Sequence, residues 1–295
     1  MMPMRPIQVV AAASGIGARD PGCARGPDTV HYSGLLARLK QRGLDISWRD
    51  TLRPALAGTP LSIIHDLDER LARQVCDSAA TGNLPLVLGG DHSCAIGTWS
   101  GAALSLKARG PLGLVWVDAH MDSHTPETTP SGAIHGMPLA ALLGYGAREL
   151  VDLAGFSPKL LPRHVCLVGV RSYEAGEAAL LQRLGVRVFF MAEVKRRGID
   201  TVMADALAIA RNGTAGFGIS IDLDAFSPRE SPGVGTPVRD GLLHLELGRV
   251  LRGIGNIPEL AALELAEFNP LRDHSGRTLG LIEDLLLAIG QKDGP

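Results

Sequence analysis

Short runs rich in Val, Ile and Leu recur along the chain at residues 8–13, 84–88, 112–117, 164–170, 186–191, 216–221 and 260–265, with a weaker eighth at 44–48. Short and apolar throughout, they read as strands buried on both faces. Between them lie segments of helical period at 28–42, 67–80, 95–108, 174–184, 200–211 and 242–255. Strand and helix in alternation leave few solutions, because parallel strands need crossovers that pack back on the sheet. The expectation is an α/β fold of three αβα layers around a central, mostly parallel sheet of about eight strands. No repeat, low-complexity tract or linker-like charge run divides the chain, so residues 1–295 are expected to form a single domain.

Charge narrows the choice of partners. Lys and Arg number 29 against 31 Asp and Glu, a net charge of −2, and no basic cluster appears anywhere, which argues against nucleic acid as a ligand. At 45% hydrophobic and 20% charged residues the chain can bury a sizeable core. No uninterrupted apolar run approaches ~18 residues, so no membrane-spanning segment is expected. The opening Met-Met-Pro-Met-Arg-Pro lacks the apolar centre of a secretory signal, and the four cysteines form no CxxC pair. A reducing cytoplasmic location is the expectation.

In open parallel sheets ligands bind beyond the carboxyl ends of the strands. Four of those ends carry unusual chemistry: Gly89-Gly90-Asp91-His92-Ser93, Asp118-Ala119-His120-Met121-Asp122-Ser123-His124, Asp222-Leu223-Asp224, and Ala266-Glu267-Phe268-Asn269-Pro270. Asp118, His120 and Asp122 alternate, as do Asp222 and Asp224, so in extended chain each set points to one face. A single Asp-X-Asp after a strand is more often a cap or a solvated turn. Five such groups on one rim, with His92 beside them, would each cost several kcal/mol unless cations neutralised them. An oxygen-rich ligand set with imidazoles and no thiolate points to Mn²⁺ rather than structural zinc.

At these residues the chain resembles the ureohydrolase superfamily, the binuclear manganese amidinohydrolases of the arginase and agmatinase group. The resemblance runs over nearly the whole chain: Gly26-Pro27, Leu86 to Ser93, Trp116 to His124, Ser131 to Pro138, Ser220 to Asp224, Gly235-Thr236-Pro237 and Glu267 to Pro270. The loop from Thr125 to Gly132, followed by His135-Gly136-Met137-Pro138, makes arginase the nearest branch. The resemblance implies two Mn²⁺ per chain, one bound by His92 and Asp122, the other by His120 and Asp224, with Asp118 and Asp222 bridging. It further implies that a hydroxide between the metals attacks a guanidinium carbon, with Asp122 at the reacting centre, His135 shuttling protons and Glu267 gripping the guanidinium. Asp91 would support a ligating imidazole or cap a helix.

Substrate contacts implied by the resemblance are His124, Ser131, Glu174, Thr236 and Glu267. Four positions depart from the arginase pattern: His124, Ala133, Ser172 and Glu174. His124 beside Ser131 suits a substrate carboxylate. The expected reaction is therefore hydrolysis of L-arginine to L-ornithine and urea, with a guanidino acid such as 4-guanidinobutanoate as the alternative and agmatine third. A single-zinc deacylase of similar architecture would leave the second carboxylate pair without purpose. The resemblance also implies a homotrimer or homohexamer.

Overall fold

The computed structural model describes residues 5–291. The first four residues of the expected leaderless start lie outside the described residues, as do the last four of the expected domain. All eight expected strands form: β1 (Ile7–Ala12), β2 (Ile46–Leu52), β3 (Leu84–Gly89), β4 (Leu112–Val117), β5 (Leu160–Val170), β6 (Arg187–Phe190), β7 (Gly216–Asp222) and β8 (Leu260–Ala266). They build one sheet in the order β2-β1-β3-β8-β7-β4-β5-β6. Every pairing is parallel, so "mostly parallel" becomes wholly so.

Alternation along each strand splits the core into two layers. Val9, Ala11, Leu86, Leu88, Val115 and Val117 pack with the helices Gly26–Tyr32, Leu35–Gln41, Ile199–Arg211 and Arg277–Gly290. Val10, Ala12, Val87, Leu114 and Trp116 face the helices Pro60–Ala80 and Ala95–Leu106. Both faces of the sheet are buried, which is why the strands read as unbroken apolar runs rather than alternating ones.

Three helices differ from the periodicity. The segment 28–42 breaks in two at Ser33-Gly34, where Gly34 takes φ +76°. The helix expected from 67 starts at Pro60, with the Thr59 hydroxyl accepting from the Ser62 N–H as an N-cap. The helix expected over 242–255 contracts to His244–Val250. Among the described residues no helix is long and apolar enough to cross a membrane, and the four cysteines are unpaired.

The centre of the sheet fixes where the rim chemistry meets. β3, β8, β7 and β4 are adjacent, and they are the four strands whose ends carry His and carboxylates. Gly90 lets these tips close up. A Cβ there would lie 1.8 Å from the Ser14 carbonyl oxygen, while the Gly90 carbonyl accepts from the Glu267 N–H at 2.7 Å. No other residue fits between the β1 and β8 ends at that distance.

Candidate metal centre and substrate cavity

His92 leaves β3 in a short 3₁₀ turn whose cap is Asp91. Its Nε2 lies 2.9 Å from Ser220 Oγ, and Ser220 donates its own hydroxyl to Glu264 Oε2 at 2.6 Å. Ser220 Oγ must therefore accept from His92 Nε2–H. Glu264 is fully buried and takes further bonds from Thr98 Oγ1 and Trp99 Nε1. The result for His92 is a fixed ring. Nδ1, which has no hydrogen-bond partner by geometry, faces Asp122 Oδ2 at 3.0 Å, Asp222 Oδ2 at 3.2 Å and Asp118 Oδ2 at 3.3 Å.

Lone pairs from an imidazole and three buried carboxylates cannot converge without a cation among them. A proton on Nδ1 or a metal ion fills that role, and the oxygen-rich set fits a divalent ion. A second group stands beside it: His120 Nδ1 lies 3.1 Å from Asp224 Oδ2 and 3.5 Å from Asp118 Oδ1. Three groups among the described residues have metal-ligand spacing: His92, Asp118, Asp122 and Asp222; Asp118, His120 and Asp224, which adjoins the first; and, apart from these two, His124, Glu174 and Glu177. Asp118 belongs to the first two. Asp222 belongs to the first, its Oδ1 being held by the Asp224 N–H at 2.7 Å.

The surroundings hold these groups in place. Trp116 Nε1 donates to Asp118 Oδ2 at 2.9 Å, and the Trp116 ring stacks on His92 at 4.3 Å. Thr236 Oγ1 donates to Asp224 Oδ2 at 2.9 Å. The Arg171 guanidinium gathers the carbonyls of Asp224, Val238 and Arg239 at 2.8, 3.0 and 2.9 Å, which ties the Asp224 turn to the loop carrying Thr236. Asp122 and Glu267 both adopt left-handed backbone, φ +46° and +69°. For residues with a Cβ such conformations cost ~1–3 kcal/mol each and collect at functional sites.

Protonation competes with an ion here. Burial and the charge of Asp118 push Asp122 up to about 6, and burial with Asp224 raises Asp222 well above the carboxylate range. Burial opposes charge on His92, but the carboxylates of Asp118, Asp122 and Asp222 crowded around its Nδ1 outweigh that and raise it. Asp118 is held low despite burial, by His120 and His92. The raised groups bind protons that an ion must expel, so affinity climbs with pH and falls as pH drops through about 6, where Asp122 takes up a proton. Titration of the metal-free protein with Mn²⁺ in buffers of differing ionisation enthalpy is expected to release about one proton or more per chain at neutral pH; zero release would contradict the cluster's protonation.

A cavity of about 290 Å³ opens over these groups, its wall including His120, Asp122, His124, Ser131, His135, Glu174, Asp222, Asp224 and Thr236. Glu267, 2% exposed, stands off the wall and reaches it through His135, whose Nδ1 is 2.9 Å from Glu267 Oε1. That oxygen also accepts the His92 N–H at 3.0 Å. Burial opposes charge on His135, yet the bond to Glu267 raises it to about 9, and Glu267, though buried, is lowered by the same bond. Asp91 accepts from the Gly17 and Ser93 N–H groups, so it caps and docks a loop.

His124 is engaged: its Nε2 lies 3.0 Å from Glu174 Oε2 and 3.4 Å from Glu177 Oε2. The imidazole expected to meet a substrate carboxylate thus faces two carboxylates of the protein. Glu174 also caps the helix Ala175–Leu184 in a reciprocal box with Glu177, and burial pushes Glu177 up to about 8. Ser131 Oγ accepts from the Ala133 N–H at 3.1 Å, and Ser172 lies outside the cavity wall. Three residues escaped the sequence reading, Arg19 and Glu177 on the wall and Glu264 beneath it, and Ser220, there quoted only as the edge of a motif, is the link between Glu264 and His92. A carboxylate inside the apolar run 260–265 was the available signal for Glu264. A larger cleft, about 950 Å³ along Met191, Lys195, Arg229 and Glu246, contains none of the candidate ligands.

The model of the Arginase family matches residues 5–290. An arginase from Bacillus caldovelox is 37% identical over 300 residues, spanning 98% of this chain and 99% of its own length. The crystal structure of arginase from Bacillus subtilis superposes with a TM-score of 0.91 at 35% identity, covering 98% of this chain and 100% of that one. Entamoeba histolytica arginase, crystallised with L-ornithine, superposes with a TM-score of 0.87 at 25% identity, over 98% and 99% of the two chains.

Proposed function

The chain belongs to the arginase family of hydrolases, and from that premise we propose that it is a manganese enzyme converting L-arginine to L-ornithine and urea. The observation that carries the reading is the buried convergence of His92 Nδ1 with three aspartates, next to a second group that shares Asp118. His92, Asp122 and Asp222 would hold one Mn²⁺ and His120 and Asp224 the other, with Asp118 available to both. Bound divalent ions lower the pKa of water to near neutrality and so provide a nucleophile for a planar guanidinium carbon.

The protein's own groups do the remaining work. Glu267 Oε1 is taken by His92 N–H and His135, which leaves Oε2 to accept from the guanidinium as a charged acceptor. His135, raised to about 9 by that same Glu267, carries a proton at neutral pH and is placed on the cavity wall to hand it to the departing amine. Glu174 and Glu177 at the other end of the cavity suit an α-ammonium group. That pair favours arginine over 4-guanidinobutanoate, which has no amine.

Urea release from L-arginine, 4-guanidinobutanoate and agmatine, at equal concentration with Mn²⁺ loaded, tests the assignment. Arginine is expected to be fastest, and turnover more than about tenfold below guanidinobutanoate would overturn the choice. In His135→Ala, kcat is expected to fall ~10²–10⁴-fold with partial rescue by imidazole. Full activity across pH would remove His135 from the proton path.

A further inference from the structure

Three of the four basic side chains on the cavity wall are already engaged: His120 by Asp224, His124 by Glu174 and Glu177, and His135 by Glu267. The fourth is Arg19, which lines the same cavity, is exposed, and takes part in no hydrogen bond or ion pair with any described residue. Its backbone, by contrast, is pinned on both sides. The Gly17 N–H donates to Asp91 Oδ2 at 2.9 Å, and the Gly17 carbonyl accepts from the His135 N–H at 3.2 Å. On the other side Asp20 accepts from the Gly22 N–H, from Asn269 Nδ2 and from Arg272 Nε, at 3.0, 3.2 and 2.9 Å. A rigid loop therefore presents a free guanidinium to the site.

Charge balance in the cavity says what that guanidinium meets. An amino-acid substrate brings a carboxylate alongside its ammonium group, and the ionised Glu174 repels it. His124 directs its Nε2 at those glutamates, and Ser131 offers one neutral hydroxyl. Arg19 has a planar fork of donors matched to both oxygens of a carboxylate. We propose that Arg19 recognises the α-carboxylate of the substrate and is a specificity-determining residue that selects amino acids over amines such as agmatine. The proposal rests on the guanidino-hydrolase reading above.

Arg19→Gln in the Mn²⁺-loaded protein is the test. KM for L-arginine is expected to rise about ten- to thirtyfold with kcat within about threefold, the pattern of a tail contact present in ground and transition states alike. L-Argininamide, whose carboxylate is neutralised, should show no such rise. Arg19→Lys should recover part of the loss, because it restores charge without the fork. Calorimetric binding of L-ornithine and putrescine, which differ by the carboxylate, gives a second readout: only ornithine should weaken, about tenfold or more.

Equal shifts for both members of either pair, no shift for ornithine, or no binding of ornithine by the unaltered protein would overturn the role of Arg19. Absence of urea from every guanidine would sink the reaction instead, and the ornithine–putrescine comparison would still decide Arg19.

Discussion

Replacing Asp118 by Ala is expected to abolish turnover, by more than about 10⁴-fold, because groups that act as one unit fail together. Asp118 is wholly buried and is the one residue common to both ligand groups. Its removal also strands the Trp116 indole N–H and the His120 N–H, which it accepts at 2.9 and 2.7 Å. Metal content should fall with activity, and the gain in melting temperature on adding Mn²⁺ should shrink, since an ion that binds only the folded state stabilises in proportion to its affinity. Elemental analysis and urea release measure both. A variant keeping two Mn per chain and more than about 1% of activity would show that the aspartate is not shared by the ions.

Glu267→Gln is expected to behave differently. The side chain touches none of the candidate ligands' metal-facing atoms; it accepts the His92 N–H and His135 through Oε1. Loss of a charged acceptor for the guanidinium should reduce kcat/KM by ~10²–10³-fold, the range seen when a preorganised charge-stabilising group is removed. Metal content should stay at its original level. Removing the carboxylate charge also takes away what raises His135, so the His135 titration should move down from about 9 toward the ordinary histidine range. Observing the imidazole by NMR across pH separates this electrostatic role from a merely structural one. An unmoved titration with intact kinetics would remove Glu267 from the site.

Much of this was legible in the sequence, for a physical reason. Strands buried on both faces leave unbroken apolar runs, and all eight runs became strands. Polar residues directly after such runs have few places to go except the rim, so His92, Asp118, His120, Asp122, Asp222 and Asp224 could be brought together before any coordinates. Helix ends were harder: Pro60 to Asp66 shows weak periodicity, and only the Thr59 cap and Pro60 marked the true start. The engagement of His124 was hidden because Glu174 and Glu177 arrive from another strand end, 50 positions away for Glu174. Arg19 was hidden for the same reason, its loop being fixed by Asp91 at a separation of 74. Contacts made across strands leave no local pattern.

The strand order has a further consequence for how the chain is made. β8 lies between β3 and β7 at the middle of the sheet, yet it comes from residues 260–266, and the Glu267–His92 bond spans 175 positions. Until that strand has left the ribosome, β3 and β7 present bare edges to the cell, and such edges are where nascent chains pair wrongly or meet chaperones. Pairings of this range form slowly. The ligands on β3 and β7 are thus not brought together until β8 is in place between those strands, and before then a metal ion has no assembled site to template. Its effect falls on escape from the finished state: it slows unfolding and leaves the rate of folding to the sheet.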